Sequence, residues 1–304
     1  MTAPERPARP SGAYRAGVPD PGTADRPGPP AEVVSRLRAA GCVFAEEEAE
    51  LLAAAAAGPA ELDDLVAQRV GGLPLEHLLG WAEFCGLRVV VGPGVFVPRR
   101  RTGFLVRQAA ALAPGPAVIV DLCCGSGAVG AALLDVLGPA ELVAADIDPV
   151  AVGYARRNVE PRGGQVVEGD LDAPLPAGLR GRVDVLVANA PYVPTGAIAL
   201  MPPEARDHEA RVALDGGDSG LDVQRRVAAA APRWLAPGGH LLIETSEAQA
   251  RLTAAAVTAA GLVAWVVRDE DLDATVVIGA APTGVAPGGL GRSRPADRLP
   301  MGTP

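Results

Sequence analysis

The chain has 304 residues, 49% apolar but only 3% aromatic, so it can bury a sizeable core and must build it mainly from Ala, Val and Leu. Its formal net charge is −9 and it contains no Lys, a balance that speaks against a nucleic-acid partner, because such binding rests on neutralising phosphates. Four cysteines without a CxxC pair and three scattered histidines make no metal-ligand spacing, and no apolar run approaches the roughly 18 residues that a membrane span needs.

Residues 1–30 are rich in Pro, Gly, Ala and Arg, without an apolar period or the h-region of a secretory signal. They read as a disordered tail, and 282–304 read the same way. Together with the cysteine usage, this places the chain in a reducing, cytoplasmic setting. In the segment 31–80 the pattern is helical as far as about Gly72. Val33, Val34 and Leu37 share a face, and Leu62, Leu65, Val66 and Val70 recur at three- and four-residue spacing. Three short helices forming a small N-terminal domain are expected, followed by a β-hairpin linker over 81–103. Within the linker, Glu83–Val91 and Val95–Val97 are β-prone runs separated by Gly92-Pro93-Gly94, and Pro98 ends them.

Over 104–281 strands and helices alternate. Strands are expected at 118–122, 142–146, 165–168, 184–188, 240–244, 263–267 and 275–278. Helices are expected at 128–137, 151–158, 223–234 and 248–260. This is an α/β fold with a seven-stranded, mostly parallel sheet and helices on both faces. The last two strands lie only a loop apart, too close for a crossover, so they should pair antiparallel.

Three motifs fall at strand ends. In Asp121-Leu122-Cys123-Cys124-Gly125-Ser126-Gly127, glycines between a strand and a helix let the backbone turn tightly and approach a ligand. Asp146 ends the next strand, about 20 residues on, where a carboxylate can accept from ribose hydroxyls; Asp148 is better placed to cap the following helix. The pair suggests an adenosine-containing cofactor. A nicotinamide dinucleotide fits less well, because Asp121 at the strand end would repel a pyrophosphate yet suit the amino and sulfonium groups of S-adenosyl-L-methionine. The third motif, Asn189-Ala190-Pro191-Tyr192, follows the fourth strand. It resembles the Asn-Pro-Pro-Tyr motif of methyltransferases acting on planar NH₂ groups. An amide nitrogen is a poor nucleophile because its lone pair is delocalised. The Asn189 oxygen and the Ala190 carbonyl can accept its two N–H bonds, aim the lone pair and stabilise the developing charge, while Tyr192 packs on the substrate plane. Ala190 can supply its carbonyl as Pro does, but gives up Pro's fixed φ.

The series Gly72-Leu73-Pro74-Leu75-Glu76-His77, Pro93-Gly94-Val95-Phe96-Val97-Pro98-Arg99, the three motifs above, His208-Glu209 and Ala213-Leu214-Asp215-Gly216-Gly217 resembles the HemK/PrmC family of protein-(glutamine N5) methyltransferases. The resemblance covers about 72–280. It implies a Rossmann-like class I S-adenosylmethionine-dependent methyltransferase whose protein substrate is a peptide-chain release factor, methylated in its Gly-Gly-Gln motif. It also implies that Cys123, Gly125 and Gly127 border the cofactor, with the two glycines lining its methionine end. Asp170 would approach the adenine amino group, and His208 and Glu209 would order a substrate loop. His77 and His240 read as structural. Three departures stand out. Arg100, Arg101, Thr102 and Gly103 replace a stretch that usually carries an acidic residue, Cys123 replaces a usual glycine, and Ala190 replaces Pro. Two other readings remain: adenine-N6 methylation of nucleic acid, and a cofactor-binding protein that has lost catalysis.

Overall fold

The structure is a computed structural model that describes residues 30–283; apart from residues 30, 282 and 283, both proposed tails lie outside the described residues. Helices α1 (Ala31–Ala39), α2 (Ala45–Ala55), α3 (Pro59–Val70) and α4 (Leu75–Leu79) pack around Leu37, Ala49, Leu52 and Val66. Three were expected over 31–72. The fourth is too short to show a period and ends at Gly80, whose φ of 77° closes the helix in the left-handed conformation. Arg69 crosses from α3 to Glu48 of α2 at 2.6 Å.

The hairpin differs from the expectation. Its strands are β1 (Trp81–Phe84) and β2 (Leu87–Val90), and its turn is Cys85-Gly86 rather than Gly92-Pro93-Gly94. Both turn residues have positive φ, 51° and 80°, the geometry that matches the twist of a two-residue hairpin. Gly92 to Gly94 does reverse the chain, through a 3.2 Å bond from Val95 N–H to the Gly92 carbonyl. Beyond it Val95 and Val97 are buried individually instead of pairing as a strand. The linker is fastened to the rest of the fold by Asn158. Its side chain accepts from Val90 N–H and donates to the carbonyls of Val90 and Ser126, all at 2.8–2.9 Å.

The chain continues through α5 (Gly103–Leu112), β3 (Val118–Leu122), α6 (Ala128–Leu137), β4 (Glu141–Asp146), α7 (Pro149–Val159), β5 (Gln165–Glu168) and β6 (Val183–Ala188). Then come the short helices α8 (Pro203–His208) and α9 (Arg211–Leu214), α10 (Asp222–Ala230), β7 (Leu235–Thr245), α11 (Ala250–Ala259), β8 (Val263–Asp269) and β9 (Ala274–Ala280). Helix α5 escapes a periodicity reading because it buries Phe104, Leu105, Val106 and Ala109 on more than one face. The seven-stranded sheet has the order β5-β4-β3-β6-β7-β9-β8, parallel from β5 to β7. Strand β9 runs antiparallel to both β7 and β8, as the short loop between the last two strands requires. Separate apolar layers of Ala, Val and Leu cover the two faces. Fully burying each Val or Leu contributes about 1.5–3 kcal/mol.

From β3 the chain first moves outward to β4, and it later returns on the other side of β3 as β6. The switch point therefore lies between β3 and β6, where Leu122 pairs with Ala188. Ligands of open α/β sheets bind in the crevice at such a point.

Candidate active site

A cavity of about 240 Å³ opens at that switch point. It brings together Asp121, Cys123, Gly125, Asp146, Asp170 and all of Asn189 to Tyr192. Gly127 stands apart from the lining. It caps α6 with a φ of 75°, and a Cβ there would come within 2.7 Å of Val159 and 3.0 Å of the Ala155 backbone. Its lack of a side chain lets α6 pack on α7. Gly125 is the glycine that faces open space. Cys123 sits in the same loop with a φ of 56°, a conformation that favours glycine and costs a side-chain-bearing residue roughly 1–2 kcal/mol.

The carboxylates are held by backbone. Asp121 is 1% exposed; its Oδ2 accepts from Gly130 N–H at 2.9 Å, and burial pushes its carboxyl up to about 7. Asp146 accepts from Gly125 N–H at 2.8 Å and from Asp148 N–H at 2.9 Å, and burial raises its pKa too. Asp148 in turn caps α7 through Val150 N–H at 2.8 Å. Among the described residues no basic side chain pairs with Asp121 or Asp146, so this end of the cleft suits a cationic ligand with hydroxyl groups. Asp170 differs: Arg226 holds it at 2.6 Å on the exposed rim.

The other end is built on the loop after β6. Backbone bonds fasten that loop to the Leu214–Gly217 run: Val193 N–H to the Leu214 carbonyl at 3.1 Å, and Gly216 N–H to the Val193 carbonyl at 2.9 Å. A Cβ on Gly216 would lie 2.8 Å from the Pro191 carbonyl oxygen, which explains the glycine there. The Asn189 Nδ2 donates to the Thr102 hydroxyl at 3.4 Å. Among the described residues no group donates to Asn189 Oδ1, so the amide oxygen is a free acceptor in the cleft. Ala190 is fully buried. The Tyr192 hydroxyl accepts from Arg101 Nη2 at 2.8 Å, and its carbonyl accepts from Gln249 Nε2 at 2.9 Å.

Sequence reasoning missed the partners. Arg101 and Thr102 touch both ends of the Asn189–Tyr192 loop, although Arg101 drew notice only as a departure. Behind Arg101 lies Glu244, 2% exposed at the end of β7 and 3.7 Å from the guanidinium, its pKa raised by burial. An acid closing an apolar strand at the carboxyl edge was the available signal. Glu209 is similarly buried and accepts from Arg99 at 2.6 Å and from Val97 N–H at 3.2 Å, joining the second loop to the linker. His77 bonds the Val95 carbonyl at 3.0 Å, and His240 packs edge-on to Trp265; both lie away from the cleft lining.

The methyltransferase small domain matches residues 87–205. The release factor glutamine methyltransferase of Geobacter sulfurreducens is 43% identical over 188 residues, covering 61% of this chain and 65% of the relative. That of Mycolicibacterium smegmatis is 40% identical over 241 residues, covering 73% and 85%. A methyltransferase structure from Pyrococcus furiosus superposes with a TM-score of 0.50 at 16% identity over 65% of this chain and 90% of that one, a likeness of fold.

Proposed function

Because the chain belongs to the family of release factor glutamine methyltransferases, S-adenosylmethionine-dependent enzymes, we propose that it methylates the side-chain amide nitrogen of a glutamine in a peptide-chain release factor. The observation that carries the reading is Asn189. Its nitrogen faces the Thr102 hydroxyl at 3.4 Å, and among the described residues its oxygen remains a free acceptor in the cleft. That oxygen and the Ala190 carbonyl receive the two N–H groups of the acceptor amide, and Tyr192 packs on the amide plane. S-adenosylmethionine, when bound, supplies an electrophilic methyl group. The two acceptors aim the nitrogen lone pair and stabilise the positive charge that develops there, so no strong base is needed before transfer. The nitrogen then loses a proton to solvent.

Asp121, Asp146 and Gly125 are the residues proposed to hold the cofactor. Asp146 takes the ribose hydroxyls with its remaining lone pairs, Gly125 leaves room for close backbone approach, and Asp121 faces the cationic end. Asp170 borders the adenine, with Arg226 fixing its carboxylate. A cytoplasmic location fits the four cysteines, all free thiols. Among the described residues no helix is long and apolar enough to cross a membrane.

The Asp121 assignment predicts a pH dependence. In the free protein its carboxyl titrates at about 7. A cation beside it favours the ionised form and lowers that pKa, so binding releases a proton. Affinity for S-adenosylmethionine therefore rises as the pH climbs towards about 7 and then levels off, by at most about tenfold per pH unit. Isothermal titration across that range checks this. Asp121→Asn should make the profile shallower, leaving the part due to Asp146, whose pKa burial also raises, and a flat profile in the unaltered protein would remove Asp121 from the cofactor site.

The acceptor is tested by offering labelled cofactor with either a purified release factor or adenine-containing duplex DNA. Label on the release factor alone is expected. Label on the DNA would replace the glutamine reading with the adenine one.

A further inference from the structure

We infer that Arg101 and Thr102 form a clamp that holds the acceptor-binding loop in register, and that this clamp supplies the rigidity which Ala190, in place of proline, does not. The inference rests on the proposed role of Asn189–Tyr192 and adds to it two positioning residues.

Four observations meet here. The turn Arg100–Thr102 ends the linker and runs directly into α5, which anchors it from one side. Thr102 is 2% exposed, and its hydroxyl receives the Asn189 amide at 3.4 Å. The next residue back, Arg101, donates to the Tyr192 hydroxyl at 2.8 Å. One turn thus grips the first and the last side chain of Asn189-Ala190-Pro191-Tyr192. Finally, Glu244 lies beneath Arg101 at 3.7 Å, with one carboxylate oxygen buried and without a hydrogen-bond partner. The guanidinium offsets part of the cost of burying that carboxylate, and this attraction favours keeping Arg101 beside Tyr192.

Proline at 190 would fix φ near −65° and limit the loop from within its own backbone. Alanine leaves that angle free, and the loop must then be restrained through its side chains. Arg suits this task better than Lys, because its planar fork reaches a carboxylate and a phenol together. The charge at 101 is therefore read as part of the loop's support.

The test measures turnover and amide hydrogen exchange at Asn189 and Tyr192 in the full chain, for Arg101→Gln, Ala190→Pro and the two combined. Arg101→Gln should lower kcat roughly tenfold and speed exchange at both amides, with cofactor affinity unchanged, because a small displacement of positioning groups carries such a cost. With Ala190→Pro present, the same change should cost less than about threefold, the non-additivity expected of groups sharing one restraint. Since Arg101→Gln strands Glu244 without its cation, Arg101→Gln/Glu244→Gln is measured alongside. It should recover stability while kcat stays low. Equal costs with and without Ala190→Pro, recovery of kcat in the doubly neutral variant, or unmoved exchange would overturn the clamp. If no variant, nor the unaltered chain, methylates a release factor, the acceptor reading fails; exchange at the two amides then decides the clamp alone.

Discussion

Replacing Asn189 by alanine should lower kcat for methyl transfer by roughly 10²–10³ and leave S-adenosylmethionine affinity nearly unchanged. That is the cost of removing one preorganised hydrogen-bond partner of the charge that develops in the transition state. The effect should fall on kcat because the interaction strengthens as the nitrogen gains positive charge. Fold stability should change little, since Asn189 is half-buried and its one side-chain bond, to Thr102, is long at 3.4 Å. Steady-state kinetics with a release-factor substrate and titration of the cofactor separate the two quantities. Undiminished kcat would remove Asn189 from the chemistry. A loss confined to cofactor affinity would reassign it to the other end of the cleft.

Asp146→Ala should do the converse. It removes the proposed ribose acceptor and also the carboxylate that orders Gly125 N–H and Asp148 N–H at 2.8 and 2.9 Å. Hydrogen bonds to a charged group contribute about 1.5–3 kcal/mol each, so loss of the ribose contacts should weaken cofactor binding by roughly 10²-fold or more. Turnover at saturating cofactor should fall far less. Because the loop from Cys123 to Gly127 leans on this carboxylate, Asp146→Asn is a companion variant that removes the charge and keeps one of the two backbone acceptors. Calorimetry on both variants measures the effect, and unchanged affinity would exclude a ribose role.

The alternation of strands and helices was legible because the strands are short apolar runs and most are followed by a periodic helix, whereas their order across the sheet was not. The antiparallel pairing of β8 and β9 followed from the length of their connection. The lining of the cleft was legible where its residues sit at strand ends: Asp121 on β3, Asp146 on β4, Asn189 beyond β6. Its support was not legible. Arg101 and Thr102 reach Asn189 and Tyr192 across 87–91 residues of sequence, and no local pattern reports such a contact. Asn158 ties the hairpin to the loop after β3 from inside a helix that its sequence marks only as amphipathic. The hairpin was misplaced because glycine and proline dominate a reading of turns, whereas Cys85 adopts a positive φ that its residue type does not announce. Gly127 was taken for a ligand-facing glycine, since close approach to a ligand and close approach to a neighbouring helix both call for a missing Cβ.

We propose that this cleft methylates the side-chain nitrogen of a glutamine in a release factor. The most direct test is transfer of label from S-adenosylmethionine to a purified release factor and to its Gly-Gly-Gln→Gly-Gly-Ala variant. Label on the first and none on the second is the predicted result. Equal labelling of both, or no labelling of either while the cofactor still binds, would contradict the claim.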